Sequence, residues 1–151
     1  MSQDETVGPL DQAVGYMLKR AATALRVAME TALRPLDLTV PQYSCLEVLS
    51  QRPGLSNAEL ARAVFVTRQS MNLVLRGLQD RGLVTRPATA PQGRALPSTL
   101  TPAGQAQLRT ASGLVRAVQN RMLEPFSAGE RDRLLHDLIA CADALSPPDA
   151  E

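Results

Sequence analysis

LSNAELARAVFVTRQSMNLVLRGLQDRGLVTRPATAPQGRALPSTLT, residues 55–101, decides how this chain folds. Ser56 followed by Glu59 makes a capping box, which opens a short helix over residues 57–64. Thr67 caps a second helix over residues 68–81, and Gly82 is placed to supply the left-handed residue that ends it. Residues 83–86 read as a short strand and residues 87–93 as a loop with turn chemistry. Residues 95–100 read as the return strand, which Pro97 confines to an edge or a bulge. Helix, tight joint, helix, strand, loop, strand is the order of a winged helix-turn-helix. In that unit the second helix fits the major groove of DNA and the loop reaches a neighbouring minor groove.

The flanks on both sides are helical. Leu10, Val14, Met17, Leu18, Ala21, Leu25, Ala28, Met29, Ala32 and Leu33 recur at steps of three and four, predicting one long amphipathic helix from Leu10 to about Arg34, stopped by Pro35. Thr39 and Gln42 form another capping box, and Pro53-Gly54 ends the helix it opens. Thr101-Pro102 starts a long helix reaching about Leu123, and the Ser127–Glu130 box starts a last one reaching about Leu145. The expected fold is therefore mainly α with a small β wing. A winged helix-turn-helix DNA-binding domain over residues 37–101 is flanked by a helical dimerisation region, residues 10–36 and 102–145. The polar ends, residues 1–9 and 146–151, read as disordered.

Leu10, Val14, Met17 and Leu18 at one end, and Leu134, Leu135, Leu138 and Ile139 at the other, are too many apolar residues for a lone winged domain to bury. A two-fold interface with a second copy, centred on Leu10, Val14, Leu134 and Leu138, accounts for them; an intramolecular helix bundle is the alternative.

The net charge is only +1, but it is unevenly spread. Between Arg52 and Arg94 seven arginines face two acids, a local charge of +5, while the remainder carries nine basic and thirteen acidic residues, or −4. A basic middle between acidic flanks is the distribution expected if the middle alone meets phosphate. Cys45 and Cys141 are far apart, have no metal-ligand spacing and fit a reducing compartment. No apolar run is long enough for a membrane span and MSQDET is not a signal peptide, so the expected location is the cytoplasm. No phosphate loop, metal cluster or nucleophile elbow is present, so neither enzyme chemistry nor a cofactor is expected.

On the second helix of the central unit, Met71, Val74, Leu75 and Leu78 form the stripe to be buried. Thr67, Arg68, Gln69, Asn72 and Arg76 project away from it, with Ser70 at the edge. Gln and Asn pair bidentately with adenine and Arg with guanine, while Ser and Thr near a helix start meet phosphate. Arg94 near the loop tip is placed for the minor groove, and Arg86 at its base for a phosphate or a structural partner.

With those residues in hand the chain resembles the MarR family of bacterial transcription regulators over nearly its whole length. The resemblance is carried by LTVPQYSCLEVL (residues 38–49), LSNAELARAVFVTRQSM (55–71), GLQDRGLVTR (77–86) and GRALPSTLTPAGQAQL (93–108). It implies a triangular homodimer whose terminal helices form a platform and whose winged domains read successive major grooves of a pseudo-palindromic operator. It implies a repressor released by a small aromatic or anionic effector, bound between platform and winged domain. Met17, Arg20, Tyr43 and Leu46 either line that pocket, with Arg20 meeting an anion, or belong to core and surface. The chain departs from the family pattern in three places. The wing reads Gln92-Gly93-Arg94 where an Asp usually stands two residues before the Arg; Leu73 stands where many members have a polar residue; and Phe65 replaces a small residue in the joint. The competing readings are a winged-helix protein-interaction module and a thiol-based redox-responsive regulator, although no Cys lies near the N-terminal helix, where the family's redox sensors carry theirs.

Overall fold

The computed structural model describes residues 6–86 and 97–147. Its helices are α1 (Val14–Leu33), α2 (Val40–Gln51), α3 (Asn57–Val64), α4 (Arg68–Asp80), α5 (Pro102–Leu123) and α6 (Ala128–Leu145), with strands β1 (Val84–Thr85) and β2 (Thr99–Leu100) between α4 and α5. The capping boxes at Thr39, Ser56 and Ser127 all form, each with both reciprocal hydrogen bonds. Such boxes satisfy two of the free N–H groups at a helix start within four residues of chain, so local sequence suffices to specify them. Gly82 takes the left-handed conformation expected of it, with φ 70°.

One element differs from the sequence expectation. The single helix expected from Leu10 is broken: a 3-10 turn covers Leu10–Gln12, Ala13 is extended, and α1 starts at Val14. Ala13 offers no side chain to cap α1, and three-residue apolar spacing suits a 3-10 turn as well as an α-helix. Among the described residues the strands pair antiparallel through Val84 with Leu100 and Thr85 with Thr99, where the two threonine hydroxyls lie 3.0 Å apart. Pro97 lacks the N–H a ladder needs and, with Ser98, lies outside the paired residues. The loop before it, including Arg94 and the Gln92-Gly93 departure, lies outside the described residues.

Two compact units are present, Met1–Val118 and Gln119–Glu151. In the first, packing does not stop at residues 37 and 101. Leu33 of α1 and Leu108 and Ala111 of α5 belong to the same buried cluster as Leu46, Leu60, Met71 and Leu75. The recognition unit is thus seated on parts of both long helices. The second unit comprises the end of α5 and α6, and no residue of α6 is buried. Among the described residues no helix is long and apolar enough to cross a membrane.

Candidate nucleic-acid interface

Leu60, Ala61 and Val64 anchor α3 to the core. The helix ends in a left-handed turn at Phe65, φ 64°, closed by a hydrogen bond from the Val66 N–H to the Ala61 carbonyl. Val66 tucks against the core, while the Phe65 ring is 93% exposed. Thr67 then caps α4. Its Oγ accepts from the Ser70 N–H at 3.0 Å and donates to the Ser70 hydroxyl at 3.0 Å. Met71, Leu75 and Leu78 are buried and Val74 half-buried, as the apolar stripe required. This fixes the rotation of α4 and turns Arg68, Gln69, Ser70, Asn72 and Arg76 to solvent.

Hydrogen bonding sorts that face further. Thr67 is exposed, but its hydroxyl is committed to the cap, leaving the Ser70 hydroxyl as the free donor of the pair. Asn72 is joined to Asn57, the first residue of α3, by a 2.6 Å bond from Asn57 Nδ2 to Asn72 Oδ1. Leu73, on the side of α4 opposite the buried stripe, is 67% exposed and gives the outer face an apolar element. Glu59 is the one acid in α3, and its carboxyl is held below the ordinary range by the hydrogen bonds from Ser56.

One arginine of the basic middle is engaged within the protein. Arg81, at the exit of α4, donates through Nη1 to the Asp37 carbonyl at 2.7 Å and through Nη2 to the Leu36 carbonyl at 3.1 Å. Gln107 of α5 donates to the same Leu36 carbonyl at 3.2 Å. Arg81 is therefore a tether between α4 and the α1–α2 connection. Arg86 is half-buried, with its Nε enclosed and without a partner among the described residues.

The four expected effector residues are placed apart in character. Leu46 is completely buried in the core and exposes no surface to a ligand, and Tyr43 is buried with its hydroxyl 3.5 Å from Glu47. Arg20 is exposed, its guanidinium 3.9 Å from the sulfur of half-buried Met17. Separately, a cleft of about 340 Å³ lies against Glu30, Arg34, Asp37, Thr39 and Pro41. The expected dimer residues Leu10, Val14 and Leu138 are exposed, Val14 by 77%, and Leu134 is half-buried. Cys45 is fully buried, which pushes its thiol up to about 12, whereas Cys141 is exposed. A thiol held neutral inside a core is neither nucleophile nor sensor.

The sequence reading missed Asn57, the tethering role of Arg81, and Gly104. A Cβ on Gly104 would overlap the Leu83 carbonyl, so α5 starts against the backbone where α4 gives way to β1. The signal for Gly104 was present as the last residue of Leu100-Thr101-Pro102-Ala103-Gly104. The Arg81 and Asn57 contacts span 44 and 15 residues respectively, and no local pattern announces them.

Two helices joined by a tight turn, the second with a polar outer face and followed by an antiparallel pair of strands, define a winged helix-turn-helix protein. Residues 36–95 match the MarR family, and 121 residues are 49% identical to the HTH-type transcriptional repressor Rv2887 of Mycobacterium tuberculosis, covering 80% of this chain and 87% of that protein. This chain belongs to the MarR family and is a transcription regulator. A solved structure of Rv2887 in complex with DNA superposes with a TM-score of 0.72 at 44% identity, covering 85% of this chain and 96% of the other. The repressor CouR bound to a 23-mer DNA duplex superposes with a TM-score of 0.81 at 31% identity, covering 91% and 97%.

Proposed function

We propose that this protein is a homodimeric, cytoplasmic repressor that reads a short pseudo-palindromic operator with α4 and leaves it when a small aromatic or anionic effector binds. The observation that carries the proposal is the outer face of α4, where Arg68, Gln69, Ser70, Asn72 and Arg76 stand exposed over a buried apolar stripe. These side chains supply the donors and acceptors that base edges and phosphates require. In this reading Arg94, which the sequence sets near the tip of the loop between the two strands, reaches the minor groove. The exposed apolar residues of α6 and of the Leu10–Val14 segment support a two-fold platform. Rv2887 is named a repressor and has been solved with salicylic acid as well as with DNA, and CouR with p-coumaroyl-CoA as well as with DNA. Those ligands are an aromatic acid and an aromatic acyl thioester, which supports an effector of that chemistry here.

The test is a binding titration of the purified protein on duplex from its own promoter region against random duplex at moderate salt. A dimer reading half-sites about 34 Å apart prefers the promoter duplex, and its affinity falls linearly with salt on a log–log scale. Arg68→Ala weakens binding roughly tenfold or more, the loss of one strong base or phosphate contact. Equal affinity for both duplexes, or no effect of Arg68→Ala together with Arg94→Ala, would leave an interaction module as the better reading.

A further inference from the structure

We propose that Asn57 is a positioning residue that fixes the polarity of the Asn72 amide, so that α4 reads a keto base, guanine or thymine, at that position. The inference rests on the reading of α4 as the DNA-reading helix.

Asn72 sits on the outer face of α4, one turn in from its start, where base-edge contacts are made in this kind of unit. An unrestrained Asn presents a carbonyl oxygen and an NH2 group together, the pair that matches the N6 donor and N7 acceptor of adenine. Here the carbonyl oxygen already accepts a 2.6 Å hydrogen bond from Asn57 Nδ2. One lone pair of that oxygen is thereby used, whereas the NH2 group, a donor, has no partner among the described residues. O6 and N7 of guanine and O4 of thymine accept from a lone donor; adenine N7 also accepts, but the N6 amino group beside it opposes a second donor, and cytosine presents only an amino group.

The direction of the Asn57–Asn72 bond has a physical cause. Asn57 occupies the first position of α3, beside first-turn N–H groups that have no partner within the helix. The partial positive charge there favours the Asn57 carbonyl oxygen on the helix side and its NH2 group on the side of Asn72, the direction the 2.6 Å bond takes. Leu73, exposed beside Asn72, adds a surface suited to a thymine methyl.

The experiment is selection from randomised duplexes by the full-length protein and by its Asn72→Ala, Asn57→Ala and Asn57→Asp variants, with thermal melting of each as a check on folding. Asn72→Ala identifies the base pair concerned by flattening the preference there. Wild type selects guanine or thymine at that pair. Asn57→Ala lets the amide turn, and adenine gains by roughly five- to tenfold, the size of one good base-edge contact, with other positions unchanged. Asn57→Asp can only accept, so it must take the Asn72 NH2 and turn the carbonyl outward; the preference reverses toward adenine or cytosine over a uniform weakening from the added charge. A role limited to holding α3 against α4 would lower melting temperature or overall affinity without moving the preference at one pair. The proposal is overturned if both Asn57 variants select the wild-type base there, or if wild type selects adenine or cytosine. If wild type selects no motif, the DNA-reading function itself fails; if it selects one that Asn57 does not shape, only this inference fails.

Discussion

Phe65 holds a backbone conformation that carries no steric cost for glycine but about 1–2 kcal/mol for a residue with a Cβ. Its ring is almost wholly in solvent, so burial gives little in return. Phe65→Gly should therefore raise the unfolding free energy by about 1 kcal/mol after the extra freedom of the unfolded glycine is subtracted, as read by urea denaturation. A loss of stability instead would mean that the ring packs on a surface of its own. Cys45 makes the opposite case, a residue defined by burial. A thiol-labelling reagent should modify Cys141 in the native protein and Cys45 only after unfolding. The same burial makes a pH statement. The thiol titrates near 9.0 when unfolded and at about 12 when folded, so above pH 9 the unfolded chain binds fewer protons than the native one. Stability is unaffected by this group below pH 9 and falls as pH rises from 9 toward 12, by up to about 1.4 kcal/mol per pH unit. Cys45→Ala should remove that slope from the pH profile of urea unfolding. The apolar neighbourhood of Cys45 was legible in Tyr43, Leu46 and Leu49, whereas the left-handed turn at Phe65 was not, because the side chain there disfavours the geometry it adopts.

Among the elements, α4, β1 and α5 meet at a junction held by one threonine. The Thr101 hydroxyl donates to the Gly82 carbonyl at 2.6 Å and accepts from the Gly104 N–H at 3.0 Å, and the Thr101 N–H donates to the Leu83 carbonyl at 3.1 Å. One threonine thus caps α5 and fastens it to the exit of α4. Gly104→Ala should cost about 2 kcal/mol or more, since a Cβ meets backbone and not a movable side chain. A melting temperature within a degree of wild type would refute that close approach. Helix positions were legible wherever a cap lies within four residues of the chain, as at Thr39, Ser56, Thr67 and Ser127. The start of α1 was not, because Ala13 carries no cap and apolar spacing alone admits a 3-10 turn. Of the candidate DNA-reading residues, the outward face of α4 was legible from its buried stripe. The division of labour within it was not, since it depends on the Asn57–Asn72 and Thr67–Ser70 hydrogen bonds.

For the whole molecule, the exposed apolar side chains of α6, with Leu135 at 55%, Leu138 at 42% and Ile139 at 49%, are the main unsettled surface. Isolated apolar residues on a surface need no partner, but several on one helix with no buried residue do. Leu138→Glu should convert the dimer to a monomer in analytical ultracentrifugation. Operator affinity should fall roughly a hundredfold or more, because two linked reading heads bind as one ligand of high effective concentration. A dimer that survives Leu138→Glu would move the platform elsewhere. The tethers around α4 bear on how such a dimer is switched. Arg81 ties the exit of α4 to the Leu36 and Asp37 carbonyls, Gln107 of α5 shares the Leu36 carbonyl, and Thr101 closes the other side. These bonds give a displacement of the α1–α2 connection or of the start of α5 a direct route to the reading helix. A ligand acting through these helices alters the distance between two stamps and leaves the letters on each stamp unchanged. Strong and weak operators of equal half-site spacing are then released in the same proportion.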